Sequence, residues 1–239
     1  MDKSEFYNPG VILARNSFFE RNQSSYDQIY EIFFKLIIDN TPTGGSILDL
    51  GTGNGYVLES LLKRANKKKY RLMGLDLSED MIRDGLDRNQ GKWGLIVGDN
   101  FSIPLKSSSL DSVTANNSPN ICESEIYRVL KEGGRLFFKE YGLNRGLGEI
   151  GSFLRQKGVS TKSPEDFVAL LEPMGFRNIQ LNKYEIHRTY TFEDMESILK
   201  LFPLGCDLME EDMERIKSLF KSKNRLNLIS DPFIITCTK

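Results

Sequence analysis

The stretch "SILDLGTGNGYVLESLL", residues 46–62, decides how the rest of the chain is read. It opens with an apolar run broken only by Asp49. Glycine then stands at 51, 53 and 55, and a helical apolar rhythm follows through Val57, Leu58, Leu61 and Leu62. This is a strand, a tight turn and a helix. Glycine permits backbone conformations that a Cβ forbids and lets a ligand approach the main chain. The turn also presents unpaired amides and the positive end of a helix dipole. A nucleotide cradle at the carboxyl edge of a sheet is therefore expected. The dinucleotide fingerprint needs glycine at its first, third and sixth positions. Counted from Gly51, the sixth is Tyr56, which places use of NAD by an oxidoreductase last among the readings. No Gly-Lys-Ser/Thr follows, so the P-loop fails too. The spacing that stands is D-x-G-x-G-x-G.

Outward from this turn, strands and helices alternate. "YRLMGLDL" reads as a second strand, and "SEDMIRDGLDRN" as a helix capped by Ser78 with acids in its first turn. "WGLIVGD" and "LDSVTA" are the third and fourth strands. "SEIYRVLKEGG" is a helix expected to stop at Gly133 and Gly134, and "RLFFKEY" is the fifth strand. "SPEDFVALLEPMGF" is a helix and "RNIQLNKYEIH" a sixth strand. Two helices, "FEDMESILKLF" and "MEEDMERIKSLFKSK", precede a last strand, "DPFIITCTK". Before the turn, Tyr26, Ile29, Ile32, Phe33 and Leu36 recur at helical spacing. A βαβ series of this kind builds a doubly wound α/β fold. The expectation is one domain over 1–239, with a helical cover over 1–43 and a Rossmann-like core over 44–188. A helical lid insertion over 189–228 and a last strand over 229–239 complete it.

Composition narrows the function classes. The formal net charge is -1, with 32 basic and 33 acidic residues, so no duplex-binding or membrane-surface footprint is indicated. No apolar run approaches the roughly 18 residues of a membrane span. Residues 1–10, "MDKSEFYNPG", show no secretory pattern. Cys122, Cys206 and Cys237 are odd in number and scattered, which argues against a disulfide framework and against zinc spacing. A cytoplasmic protein without a metal site is expected, with no DNA partner and no membrane; a homodimer is compatible with this composition.

The D-x-G-x-G-x-G turn resembles motif I of the class I S-adenosylmethionine-dependent methyltransferases, of the type 11 kind. The later stations agree. Asp76 ends the second strand in "LMGLDLS", Asp99 ends the third in "VGDN", and "RVLKEGGRLFF" resembles the family's approach to its fifth strand. The resemblance covers roughly residues 44–142. It implies a seven-stranded sheet, mostly parallel with an antiparallel last strand, and S-adenosylmethionine as cofactor. It places Gly51, Gly53 and Gly55 under the methionine and ribose, and Asp49 near the amino end of the methionine. Asp76 falls on the ribose diol, and Leu77 against the adenine face. Asp99 and Asn100 fall at the adenine edge with Phe101 over the ring, and Asn116 faces the sulfonium. The plainer reading makes the glycines tight packing and the acids caps.

The acceptor is less legible. A base is needed only where the acceptor must lose a proton. The candidates are His187, the only histidine, Tyr141 at the end of the fifth strand, and Tyr26 on the amino-terminal helix. "NNSPN", 116–120, resembles the Asn-Pro-Pro-Tyr segment of nitrogen methylators, but Ser118 and Asn120 replace the first proline and the aromatic. The late helices resemble the insertion of malonyl-carrier-protein O-methyltransferases of biotin synthesis. Ile198, Leu199, Leu201 and Phe202 offer an apolar lid, or else the core of a helical hairpin. The run "KRANKKKYR" reads as a solvated helix end. The expected function is methyl transfer to a small or carrier-bound acceptor. The alternatives are an RNA or protein methyltransferase and a non-catalytic cofactor-binding relative.

Overall fold

The structure is a computed structural model that describes residues 6–22, 27–65, 68–118, 120–156, 162–201, 208–220 and 224–239. Tyr26, Cys206 and Phe202 lie outside these residues, as do residues 66–67 of the basic run. The chain divides into two compact units. The first, here the sheet unit, comprises 27–140, 164–182 and 234–239; the second, the helical unit, comprises 1–26, 141–163 and 183–233.

In the sheet unit, helix α2 (Asp27–Asn40) precedes β1 (Ser46–Leu50) and α3 (Tyr56–Arg64). Then come β2 (Arg71–Asp76), α4 (Glu79–Asn89), β3 (Gly94–Val97), β4 (Leu110–Asn116), α5 (Glu123–Val129) and β5 (Leu130–Tyr141). Helix α7 (Pro164–Leu171), a 3-10 turn (Glu172–Met174), β6 (Arg177–Lys183) and β9 (Pro232–Thr238) complete it. The strand order is β3-β2-β1-β4-β5-β9-β6. The pairs from β3 to β5 are parallel. Strand β9 runs against β5: Lys239 donates its N–H to Gly134 O (2.9 Å) and accepts from Gly133 N–H (3.2 Å). The fold is the expected seven-stranded, mostly parallel sheet with one antiparallel strand. β1 is buried at all five residues because parallel strands are covered on both faces.

Four local expectations need correction. Helix α5 stops at Val129, not at Gly133–Gly134, because Leu130 turns extended (φ −69°, ψ 139°) and is fully buried opposite Leu110. The two glycines belong to a bulge in β5, where the β4 register jumps from Leu130 to Arg135, and Gly133 takes φ +73°. The sixth strand splits. β6 ends at Lys183, and β7 (Ile186–Tyr190) pairs antiparallel with β8 (Leu226–Ser230) in a separate two-stranded sheet. Leu62 is 43% exposed, and Ser60 is buried on α3 beside Val57, Leu58 and Leu61. The α2 stripe is rotated too: Ile29, Tyr30, Phe33, Phe34 and Ile37 are its buried residues.

The basic stretch is held locally. Lys63 pairs with Glu59, and Arg64 with Glu31. Ser78 caps α4 as expected, its Oγ accepting from Met81 N–H at 3.3 Å.

The helical unit holds α1 (Pro9–Asn22), α6 (Gly148–Gln156), α8 (Phe192–Leu201), α9 (Glu210–Leu219) and the β7–β8 ribbon. Its core joins Phe18, Ile150, Met195, Ile198, Leu199 and Ile216. Ile198 and Leu199 therefore pack inside their own unit. Ile150 is fully buried here, so Ile150→Ala removes transfer energy and leaves a cavity. It is expected to cost about 2–5 kcal/mol, read as a fall in the urea midpoint of wild type against variant.

Candidate active site

The turn after β1 is built on left-handed backbone. Gly51 has φ +63° and Gly53 +57°. A Cβ on Gly51 would collide with the Ser118 side chain, and one on Gly53 would come 2.7 Å from Met81 Cε. Gly55, also left-handed at φ +89°, caps α3 against the buried Trp93. The glycines thus serve packing as well as approach: the loop after β4 and helix α4 close directly on the turn. Asn54 Nδ2 ties it further to Asp84 at 2.8 Å.

The acids stand at neighbouring strand ends. Asp76, the last residue of β2, accepts from Gly53 N–H at 2.7 Å and from Ser78 N–H at 2.9 Å. Its carboxylate therefore joins the turn to the cap of α4. Asp99, beyond β3, is exposed, and its Oδ1 accepts from Phe101 N–H at 2.9 Å. Asn100 Nδ2 donates to Asn120 O at 3.0 Å. Around these acids Leu77 is 52%, Val97 48% and Phe101 61% exposed. Exposed apolar groups beside carboxylates suit a flat ring with polar edges.

Asp49 lies deeper. It is 1% exposed within β1, and Thr114 Oγ1 of β4 donates to its Oδ1 at 2.7 Å. Burial pushes its carboxyl up to about 7; the hydroxyls of Thr114 and Thr52 offset this only in part, and the charge of Asp76 adds to it. Thr52 Oγ1 makes no hydrogen bond of ordinary geometry among the described residues, so Thr114 is the effective donor.

At the end of β4, Asn116 Oδ1 is buried without a hydrogen-bond partner among the described residues. A buried acceptor in that state costs about 1–3 kcal/mol unless a ligand or water serves it. The next residue, Asn117, is left-handed at φ +53°. Its Oδ1 accepts from Lys139 Nζ at 2.6 Å and its Nδ2 donates to Tyr30 OH at 3.3 Å. Lys139, fully buried on β5 opposite Asn116, also sits 5.0 Å from the Tyr30 ring. Sequence reasoning missed Lys139 and Tyr30. A lysine inside "LFFKEY" is a signal, since buried charge needs a partner. Tyr30 follows Tyr26 by four residues in the sequence.

Of the candidates for proton transfer, His187 and Tyr141 belong to the helical unit. His187 is exposed on β7, 3.8 Å from Glu185 Oε1. Tyr141 ends β5, and its hydroxyl accepts from Arg188 Nη1 at 3.4 Å. Among the described residues no group of His, Cys, Asp and Glu gathers to hold a metal. Among the described residues, no helix is long and apolar enough to cross a membrane.

The family described as "Methyltransferase domain" matches residues 48–138. The ubiquinone/menaquinone biosynthesis C-methyltransferase UbiE of Geotalea daltonii is 31% identical over 170 residues, which span 57% of this chain and 72% of that protein. The chain belongs to the class I S-adenosylmethionine-dependent methyltransferases. The malonyl-[acyl-carrier protein] O-methyltransferase of Methylococcus capsulatus is 29% identical over 163 residues, 62% of this chain and 58% of that protein. With that relative, the chain spans little more than half the partner's length. In fold, it resembles the Haemonchus contortus phosphoethanolamine N-methyltransferase 2 in complex with phosphomonomethylethanolamine and S-adenosylhomocysteine. The TM-score is 0.64 at 18% identity, covering 98% of this chain and 58% of that one.

The raised Asp49 fixes a pH dependence. Between the ordinary carboxylate value near 3.8 and about 7, the unfolded chain has lost this proton and the folded chain keeps it. The unfolded state then binds fewer protons, so stability falls as pH rises through that window, by about 4 kcal/mol at most. Asp49→Asn keeps an acceptor for Thr114 and removes the charge. Denaturant unfolding at pH 5 and pH 8 should show the variant gaining on wild type at the higher pH.

Proposed function

We propose that this enzyme moves a methyl group from S-adenosylmethionine to a small or carrier-bound acceptor that carries an acidic group. The observation that carries the reading is the convergence of the turn, Asp76, Asp99 and Asn116 at the carboxyl ends of adjacent parallel strands. Asp76, at the end of β2 beside the turn, would accept from the ribose hydroxyls. Asp99 and Asn100 would meet the adenine edge, between Leu77 and Phe101. Asp49, once ionised, would attract the amino end of the methionine directly or through water. Gly51, Gly53 and Gly55 would bring main chain beneath the cofactor. Asn116 Oδ1 would meet the partial positive charge around the sulfonium.

The cofactor supplies an electrophilic methyl group on sulfur, so the chain's task is chiefly alignment. Holding donor and acceptor in line contributes roughly 7–11 kcal/mol in favourable cases. The left-handed Asn117, clamped by Lys139 and Tyr30, fixes the exit of β4 and with it the backbone of Asn116. An already ionised carboxylate acceptor requires no base. That agrees with the exposed position of His187. The Methylococcus malonyl-[acyl-carrier protein] O-methyltransferase and the phosphomonomethylethanolamine complex of the Haemonchus protein support this reading, since malonyl and phospho groups are both acidic.

Titration calorimetry tests the cofactor role. S-adenosylhomocysteine should bind at micromolar levels, and Asp76→Ala should weaken it about thirtyfold or more, the scale of hydrogen bonds to a charged group. Release of labelled methyl over a panel of carboxylic and phosphorylated acceptors tests the activity. Unchanged affinity in the variant removes Asp76 from the ribose role. No binding to wild type removes the function.

A further inference from the structure

Strand β5 carries a lysine where packing alone would take an apolar residue. Lys139 follows Phe137 and Phe138, and all three are fully buried. Burying a lysine head costs desolvation. A methionine of similar length would fill the space without that cost. The use of Nζ is therefore to be sought in what it holds.

It holds Asn117, and every residue concerned lies in the sheet unit. Three hydrogen bonds converge on Asn117. Its N–H donates to Lys139 O at 2.9 Å, its Oδ1 accepts from Lys139 Nζ at 2.6 Å, and its Nδ2 donates to Tyr30 OH at 3.3 Å. Lys139 and Tyr30 touch other groups as well. Asn117 itself is exposed, so burial does not set its conformation. Its φ of +53° is one that few side chains adopt, asparagine more readily than most. Both chain neighbours belong to the candidate site. Asn116 carries the buried Oδ1 that has no hydrogen-bond partner among the described residues. Ser118 lies where a Cβ on Gly51 would stand. Planar peptides leave φ and ψ as the soft angles, so a change of backbone at 117 moves Asn116 relative to Ser118 and the glycine turn. Lys139 is also the residue opposite Asn116 in the register of β4 and β5.

The sulfur of S-adenosylmethionine is cationic, and that of S-adenosylhomocysteine is neutral. The partial negative charge of an amide oxygen favours the first over the second, steeply with distance. An amide oxygen therefore tells donor from product only where its position is fixed.

We propose that Lys139 is a positioning residue for methyl transfer. Acting through Asn117, it holds the Asn116 oxygen against the methyl-bearing sulfur, so that the site prefers the methyl donor to its demethylated product. This rests on the methyltransferase reading of Asn116.

Calorimetric titration of the full chain with S-adenosylmethionine, and separately with S-adenosylhomocysteine, tests it without an acceptor. The quantity read is the ratio of the two affinities. Asn116→Ala should lower the donor's advantage about fivefold, the scale of one hydrogen bond. Lys139→Met and Asn117→Ala should each lower it about as much, with S-adenosylhomocysteine affinity kept within about twofold. The double variant Lys139→Met/Asn117→Ala should lose no more than either single one, because the two residues act in series. A fall in Asn116→Ala without one in Lys139→Met overturns the proposal and leaves the proposed function standing. Equal weakening of both compounds in Lys139→Met, the mark of a merely structural role, also overturns it. So does a ratio that rises in Lys139→Met, the mark of its charge acting directly on the sulfonium, and so do additive losses in the double variant. Should Lys139→Met not fold, Asn117→Ala decides, and an unchanged ratio there overturns the proposal. An unchanged ratio in Asn116→Ala removes Asn116 from the donor, and the proposal with it. A wild-type chain that binds neither compound sinks the proposed function itself.

Discussion

Within five residues after β1, the main chain must turn left-handed three times, and other parts of the sheet unit depend on that turn. Ser118 closes over Gly51, Met81 over Gly53 and Trp93 over Gly55. These neighbours come from the loop after β4, from α4 and from the approach to β3. Their close approach is available only where no Cβ intervenes. Asp76 then fastens the turn with one carboxylate bond to Gly53 and another to Ser78. The same turn thus ties together the loop after β4, helix α4 and the approach to β3.

The two ends of the sheet treat acids in opposite ways. Asp111 lies at the amino end of β4. Burial pushes its carboxyl up, but the Lys131 ammonium and two donors from Ser46 overcome this and hold it at about 2. Asp49, at the carboxyl end of β1, has a single hydroxyl donor of good geometry and rises to about 7. One acid is a satisfied structural tie. The other is an under-served charge, and a cationic ligand would relieve it. An unsatisfied Asn116 Oδ1 on the adjacent strand fits the same pattern.

Much of this was legible in the sequence because local chemistry dictated it. Alternation of strands and helices gave the sheet, Ser78 gave a cap, and the acids at strand ends followed from their positions after apolar runs. What was not legible depended on burial between distant segments. Leu130 is drawn into the sheet by Leu110, so a Gly-Gly pair that ends helices in other settings became a bulge. "RNIQLNKYEIH" alternates throughout, yet Tyr184 donates its N–H to Pro232 O at 2.9 Å and the strand breaks there to pair with β8. Periodicity cannot report which partner a strand chooses. Lys139 and Tyr30 were passed over because their roles arise from Asn117, remote from both in sequence.

That bond between Tyr184 and Pro232 has a wider meaning. Strands β6 and β9 are sheet neighbours, yet the whole segment carrying β7, α8, α9 and β8 intervenes between them. Its two ends meet, so the excursion is a closed loop of chain. Closing such a loop grows dearer only logarithmically with length, each doubling adding about 0.6 kcal/mol. Evolution can therefore lengthen, trim or exchange the excursion while the two strands at its neck keep their places in the sheet.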